Sequence, residues 1–319
     1  MADITRADAL ALLKEASVGD IIQDATQSSA ALSTFRNIRM PAKQHRMPVL
    51  AALPDVGFVG ESATAASGVK PQSKVNWENK YLNAEELAVI IPIHENVIED
   101  QEFDIWGQVR HLVAEAFGRK LDEAVFYGTD KPASWTDAAL IPGAIAAGNS
   151  VVAGTGVDLA DDFNEAFGQV EDEGFDVNVA YAGRNIRRQL RGLRDANGNP
   201  IYLDGLRSDN NTAQIFGQEL YWVRNGSWDR DESVALVGDR DKAIIGIRSD
   251  MEVKLLDQAT LGTGANAVNL AERDMIALRF KFRVGFATAA PKFTREGGDN
   301  PYPFSVITPA VEEEGGGEG

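Results

Sequence analysis

The longest regular hydrophobic pattern in the chain lies between residues 100 and 127. Its apolar positions recur at steps of three and four, as on one face of a helix. These positions are Phe103, Trp106, Val109, Val113, Phe117, Leu121, Ala124 and Val125. Asp100 can cap the first turn, and Gly128 follows where a helix would end. The pattern predicts a helix roughly 40 Å long, at about 1.5 Å per residue, with one face buried in a core.

The segment before this helix has the two-residue alternation of strands. Residues 49–61 and 74–83 flank a stretch rich in glycine, serine and alanine, which predicts a long hairpin with a loose tip. Its apolar positions include Val75, Trp77 and Tyr81. Because a lone hairpin is only marginally stable in water, we expect it to contact another part of the protein or another copy. A more buried strand then leads to the helix, through Leu87, Val89, Ile91 and Ile93.

A second lobe is predicted to begin near Ile141, after a loop rich in glycine, proline and alanine. It contains a helical pattern that opens at Asp158, a short helix at 185–193, and strands in VNVAYA, QELYWV, SVALVGD, AIIGIR and MEVKLL. Helices and strands alternate without a regular βαβ repeat, which favours the α+β class. The clearest strand lies at 274–290, and we expect it to pair near the long helix. Its apolar side is Ile276, Leu278, Phe280, Phe282, Val284 and Phe286.

The N-terminal part of the chain looks like an attachment to this body. Residues 1–35 contain one short helical pattern, Ala7 to Ala16, and a polar stretch too poor in apolar residues to form a core. Met40-Pro41 and Met47-Pro48 then favour extended backbone, because a residue that precedes proline avoids the helical region. The sequence therefore predicts an arm that must lie on something else.

Composition narrows the classes of function. The chain has 319 residues, of which 44% are hydrophobic, and its net charge is −17. Cysteine is absent, which excludes disulfides, thiolate zinc sites and thiol nucleophiles. No apolar run approaches the roughly 20 residues of a membrane span, and the start lacks the layout of a secretion signal. The acidic body should repel nucleic acid, so any contact with a polyanion must be local.

Two basic segments stand out in this acidic chain. The stretch RNIRMPAKQHR supplies four cations and no carboxylate, and it is suited either to nucleic acid or to acidic surface on a neighbouring chain. Its cations are Arg36, Arg39, Lys43 and Arg46. A second group falls on the short helix at spacings of three and four, and it could bind phosphate or form ion pairs with an acidic face elsewhere. That group is Arg184, Arg187, Arg188, Arg191 and Arg194.

No pattern predicts a catalytic, cofactor or metal site. The three histidines, His45, His94 and His111, have no metal-ligand spacing. The chain has no GxSxG, no phosphate loop and no GxGxxG on a strand; the segment that opens at Gly154 lacks the required lysine. Acidic pairs such as Asp161-Asp162 are more typical of a solvated face.

The order of these parts is similar to that of the major capsid proteins of tailed phages with the Hong Kong 97-type fold. Residues 87–128 resemble the family segment in which a strand leads to a short acidic helix and then to a long spine helix that ends at a glycine. Shorter segments also resemble the family: IPGAI, DANGNPIYL, QIFGQELYWV and RFKFRVGFA.

The resemblance implies an α+β fold with the domain order of that family. The implied parts are an N-terminal arm (1–48), a lead-in (49–54), an extended E-loop hairpin (55–82), a P-domain (83–141) with the spine helix at 100–127, an A-domain (142–270), returning P-domain strands (271–310) and an acidic flexible tail (311–319).

It also implies a structural protein, not an enzyme, that self-assembles in the host cytoplasm into pentamers and hexamers of an icosahedral, DNA-containing phage head. The arm and the hairpin would then be buried on neighbouring subunits of the virion shell. Candidate intersubunit contacts are Trp77, Tyr81, Arg36, Arg39, Lys43 and Arg46. The alternative is an encapsulin-like nanocompartment shell that shares the fold and encloses cargo enzymes.

Two departures from the family bear on partners. Many members carry an N-terminal scaffolding segment, whereas this sequence opens with the arm, so we expect any scaffolding protein to be separate, beside portal and decoration proteins. Packaged DNA would be only an indirect partner, and no cofactor or membrane is expected. Some relatives link an E-loop lysine to a neighbour's asparagine; Lys70, Lys74 and Lys80 lie in the right region, but the partner asparagine and the catalytic carboxylate have no match.

Overall fold

A computed structural model of the chain describes residues 29–52, 76–95, 105–194, 213–262, 267–294, 296 and 298–310. Its helices are α1 (Ala30–Thr34), α2 (Ile105–Phe126), α3 (Leu140–Ala147), α4 (Leu159–Asp172) and α5 (Arg187–Gly192). The first eight strands are β1 (Arg36–Arg39), β2 (Gln44–Ala52), β3 (Asn76–Asn83), β4 (Glu85–His94), β5 (Ser150–Val152), β6 (Val179–Gly183), β7 (Ala213–Ile215) and β8 (Gln218–Val223). The others are β9 (Ala235–Gly238), β10 (Ala243–Leu256), β11 (Thr260–Leu261), β12 (Val268–Asn269), β13 (Met275–Thr288), β14 (Phe293–Thr294), β15 (Gly298–Asp299) and β16 (Phe304–Thr308).

The predicted long helix is α2, which has 22 residues. It ends at Phe126, two residues before Gly128. Gly128 has a φ of 79°, a left-handed conformation that stops a helix and suits glycine. The apolar stripe is buried as predicted over the last four turns, at Val113, Phe117, Leu121, Ala124 and Val125. Phe103 lies outside the described residues, as does the side chain of Trp106.

A four-stranded sheet in the order β1-β10-β13-β4 covers this stripe. β13 runs antiparallel to both β10 and β4, and β1 joins β10 in parallel. Phe280, Phe282, Val284 and Phe286 of β13 share one hydrophobic core with Phe117 of α2. The prediction that strand 274–290 pairs near the long helix is confirmed, and the strand that it pairs with on one side is β4, which leads to that helix.

β4 is less buried than the sequence indicates. Leu87 and Ile91 pack against the core, but Val89 is 37% exposed and Ile90 is 41% exposed. Within the described part of the chain β4 pairs only with β13, so one of its edges is open. Ala88, Ile90 and Pro92, on the face opposite Leu87 and Ile91, are exposed.

A six-stranded sheet in the order β5-β16-β9-β6-β8-β7 forms the second body of structure. Because successive side chains point to opposite faces, Tyr181 and Leu236 pack towards the end of α2 and α3, whereas Ala180 and Val237 pack towards α4 and α5. The sheet is therefore covered on both faces.

Sheet membership crosses the expected domain division at two segments. β10, expected within 142–270, pairs along most of its length with β13 of the four-stranded sheet. It is also one 14-residue strand with register shifts, not the two separate strands predicted from AIIGIR and MEVKLL.

β16, expected among the returning strands, lies between β5 and β9 of the six-stranded sheet. It carries apolar side chains on both faces, such as Val306 and Ile307, and only that two-sided sheet covers both. The division at 142–270 stays a prediction.

The predicted hairpin is present where the chain is described. β2 and β3 pair antiparallel from Gln44 opposite Asn83 to Ala52 opposite Asn76. The expected tip, residues 62–73, lies outside the described residues, as do the expected helix at Ala7–Ala16 and the acidic tail at 311–319.

Candidate assembly surfaces

The described part of the N-terminal arm folds onto its own subunit. α1 buries Ala30, Ala31 and Leu32, and Phe35 follows it into the main core. The Phe35 ring lies 6.0 Å from Phe126 and 5.6 Å from Tyr181, centroid to centroid. Residues 29–39 of the arm expected at 1–48 thus lie on their own subunit, because these apolar side chains pack beside α2; the extent of the arm at 1–48 stays a prediction.

Asp122 holds this segment in place. It is fully buried on α2, and its carboxylate accepts four hydrogen bonds. Ser29 Oγ donates at 2.7 Å, the backbone N–H groups of Ala30 and Ala31 donate at 2.9 and 3.0 Å, and Asn225 Nδ2 donates at 2.6 Å. One carboxylate thus joins the first turn of α1, the long helix and the loop after β8.

The charge state of Asp122 is set by two opposing effects. Burial away from water raises the pKa of its carboxyl to about 6, while the hydrogen bonds from Ser29, Ala31, Ala30 and Asn225 lower the pKa and offset part of that rise. Sequence reasoning missed this residue. The available signal was its place in the helix, three and four residues before the apolar Val125 and Phe126.

The predicted basic segment lies on the surface of the subunit. Arg36 and Arg46 are exposed. Arg39 reaches Asp250 at 3.3 Å, and Lys43 reaches Glu85 at 3.3 Å. Two of the four cations thus already pair within their own chain, and both side chains remain more than half exposed. Their contact with a neighbouring chain stays a prediction.

The base of the hairpin is packed tightly on the four-stranded sheet. Met40, Met47 and Leu82 form a small core with Ile244 and Ala287. Two glycines permit the close approach. A Cβ at Gly246 would lie 2.4 Å from Leu82 Cδ2, and one at Gly285 would lie 2.5 Å from the carbonyl oxygen of Asn83.

Polar contacts also hold the base of the hairpin to the four-stranded sheet. Lys80 Nζ donates to the Thr288 carbonyl oxygen at 2.8 Å and lies 3.6 Å from Asp137 Oδ2. Asp137 in turn accepts from the Thr288 N–H at 2.8 Å and from the Thr288 hydroxyl at 2.9 Å. The ammonium of Lys80, one of the three candidate cross-link lysines, is therefore held inside its own subunit; Lys70 and Lys74 lie outside the described residues.

One face of the hairpin has no cover among the residues that the structure describes. Met47 and Val49 face inward and are buried, whereas Arg46, Pro48 and Asn79 are exposed and Tyr81 is 43% exposed. Because pairing alternates, backbone position 77, opposite Leu50, falls on the same face as Tyr81. The structure thus brings the two predicted aromatic positions to one open face, although the Trp77 side chain is outside the described residues.

A model of the phage capsid family matches residues 11–292. The chain belongs to the phage capsid family. Among its relatives is the major capsid protein of Staphylococcus phage 80alpha, which is 26% identical over 278 residues, covering 85% of this chain and 80% of that protein.

Solved structures agree with this family membership. A chain from Microbacterium phage Oxtober96 is 61% identical with a TM-score of 0.80, covering 97% of this chain and 100% of that one. A chain from Mycobacterium phage Adephagia is 40% identical with a TM-score of 0.79, covering 97% and 99%. The capsid of a native GTA particle, at 15% identity and a TM-score of 0.61 over 90% of both chains, shares the fold. The α+β, Hong Kong 97-type capsid fold is confirmed, and this family member is a phage major capsid protein.

The described residues show neither a metal-binding cluster nor a membrane-spanning helix. Among them, no three histidine or carboxylate side chains cluster so as to hold a metal ion. No helix in the described ranges is long and apolar enough to cross a membrane. The contacts that stand out are instead those that anchor the arm and the hairpin, through Asp122, Asp137 and Thr288.

Proposed function

We propose that this capsid protein self-assembles into pentamers and hexamers that close into an icosahedral shell around phage DNA. The proposal extends the family membership to a specific assembly, which forms in the host cytoplasm and persists in the virion. Head-to-tail contacts close into rings when each subunit offers two different complementary surfaces.

The observation that carries the proposal is the open face of the β2–β3 hairpin. Its base is locked to the subunit by the small core and by Lys80, so the direction of the hairpin is fixed. Beyond that base, Tyr81 and the position of Trp77 lie on a face that the described part of the subunit leaves uncovered. A fixed hairpin with an uncovered aromatic face is suited to lie across a neighbouring subunit.

The other expected partners belong to the same proposal. A separate scaffolding protein, a portal and decoration proteins would complete the head. Packaged DNA would be contained rather than bound, because a net charge of −17 per subunit repels phosphate. Residues 55–82 would act as the E-loop and 83–141 as the body of the P-domain.

Electron microscopy tests the proposal directly. The full chain, expressed alone or with a phage scaffolding protein, should form closed shells built from pentamers and hexamers. Particles purified from infected cells should contain this chain and DNA protected from nuclease. Persistent monomers or open filaments would refute closed assembly, and particles filled with host enzymes in place of DNA would favour the encapsulin-like alternative.

A further inference from the structure

The six-stranded sheet ends in two strands with one neighbour each in the described part of the chain. β5 pairs only with β16, and β7 pairs only with β8. One face of this sheet is covered by a layer of two helices, α4 and α5. The two edges of that layer differ in chemistry.

The edge beside β5 is acidic. Asp161, Glu165 and Asp172 are exposed on α4, and their spacing places them on one stripe of the helix. Gln169 fixes where the stripe lies, because its amide nitrogen donates to the Ser150 carbonyl of β5 at 3.4 Å and its oxygen accepts from Ser305 at 2.8 Å. Two apolar side chains are exposed at the same edge: Val152 at 45% and Val157 at 94%.

The edge towards β8 and β7 is basic. Arg184, Arg188 and Arg191 are exposed at spacings of four and three along the turn that leads into α5 and along α5 itself. None of the three forms an ion pair with a carboxylate in the described part of the chain. Arg187, on the same helix, lies over the Trp222 ring of β8 at 5.8 Å, which places α5 beside that strand. An exposed aromatic side chain, Phe216 at 54%, lies at the β7–β8 turn.

We infer that these two edges are the two halves of one contact between copies of this chain. The arginine stripe of one subunit meets the carboxylate stripe of the next, and Phe216 meets Val152 and Val157. Such a contact is head-to-tail, because opposite edges of the same layer are used, and it can therefore close a ring. The inference rests on the proposed assembly and names the surfaces that it would use.

The two stripes are opposite in charge, and the shorter one fits within the length of the longer one. At about 1.5 Å per residue, the carboxylate stripe spans roughly 16 Å and the arginine stripe roughly 10 Å. Since every subunit carries a net charge of −17, two copies repel unless opposite charges meet locally. Complementary stripes of this kind fix orientation, whereas the apolar side chains supply the buried area.

The arginine stripe alone would also suit a nucleic-acid backbone, since arginine pairs well with phosphate. Two observations favour a second subunit. The complementary stripe lies at the opposite edge of the same helical layer, and exposed apolar side chains accompany the charges at both edges. A phosphate backbone would use neither feature.

A charge swap on the full chain tests the inference. Variant one carries Arg188→Glu and Arg191→Glu, and variant two carries Glu165→Lys and Asp172→Lys. Each should lower the fraction of subunits assembled into particles at least about tenfold in low salt, because like charges then face each other. The variant that combines all four substitutions should restore assembly. Arg230→Glu with Arg273→Glu is the matched control, because it reverses two exposed arginines that belong to neither stripe.

Sedimentation measures the assembled fraction, and circular dichroism of the unassembled subunits confirms that each variant folds. Normal assembly of either reversal variant, or failure of the combined variant to recover, would overturn the inference. So would arginine-reversal particles that assemble normally but retain less DNA, which would assign the stripe to nucleic acid. Failure of the parent chain itself to assemble would instead count against the proposed function.

Discussion

Replacing Asp122 with alanine should release the N-terminal segment from the long helix. The change removes the only carboxylate that the buried first turn of α1 contacts in the described structure. It would leave the Ala30 and Ala31 N–H groups, the Ser29 hydroxyl and the Asn225 amide without their acceptor. A helix of five residues has no internal partner for its first N–H groups, so these groups depend on the Asp122 carboxylate as acceptor.

Two free-energy costs set the expected loss of stability. Each buried donor left unsatisfied costs about 1–3 kcal/mol, so several such donors together would exceed 3 kcal/mol. The segment can avoid that cost by undocking, which exposes Leu32 and Phe35 at about 1.5–3 kcal/mol each. We therefore expect Asp122→Ala to lower the free energy of unfolding by about 3–5 kcal/mol, with undocking of residues 29–39 as the dominant response.

The pH dependence gives an independent check. Burial raises the pKa of Asp122 from an ordinary 3.8 to about 6, so the folded state binds this proton more tightly than the unfolded chain does. Its contribution to stability is fully present below about pH 4 and is lost as pH rises through about 6, a difference of about 3 kcal/mol. Asp122→Asn cannot titrate, so the parent's extra loss of stability between pH 4 and 7 should disappear in that variant.

Hydrogen exchange of the unassembled subunit measures the docking itself. In Asp122→Ala the amides of Ala30 and Ala31 should lose their protection. The matched control is Asp162→Ala, which removes another buried carboxylate, bound to the N–H groups of Gly154 and Gly156. It should lower stability while leaving the α1 amides protected. Unchanged protection of those amides in Asp122→Ala would refute the assignment of Asp122 as the anchor.

Three further predictions concern the core and the assembly contacts. Phe117→Ala should cost about 3–5 kcal/mol and prevent subunits from folding, whereas Leu121→Met should be tolerated; soluble, assembling Phe117→Ala subunits would contradict the packing of α2. Trp77→Ala should lower the melting temperature of particles by removing an aromatic anchor; melting identical to the parent would count against the hairpin contact. Neutralising Arg36, Arg39, Lys43 and Arg46 together should make assembly weaker and less sensitive to salt, because single exposed ion pairs contribute little; loss of DNA retention alone would favour nucleic acid as their partner.

Periodicity was sufficient where one element had one apolar face. The steps of three and four through Phe117 and the alternation through Phe280 each identify a face, and two broad faces of one chain must cover each other. The same reasoning failed for Val89, because an apolar residue on an edge strand has the same pattern whether or not anything lies over it.

Asp122 shows why hydrophobic periodicity does not predict buried polar contacts. A carboxylate in a helix is usually solvated, and its burial depends on donors that are 91 to 103 residues away in the sequence. Asp137 and Thr288 are alike in this respect, since their contact joins residues 151 positions apart. Spacing along the chain carries no information about such pairs.

The assembly surfaces could be predicted from the sequence only in part. The sequence shows that the hairpin cannot be stable alone, because strand alternation and marginal hairpin stability are local properties. It cannot show which strands lie at the edges of a sheet, because the order β5-β16-β9-β6-β8-β7 is set by burial and not by position in the chain. Only once β5 and β7 are known to be edges do the carboxylates of α4 and the arginines of α5 become opposite ends of one layer. The proposed contact between copies then joins two charge clusters that the sequence presents separately.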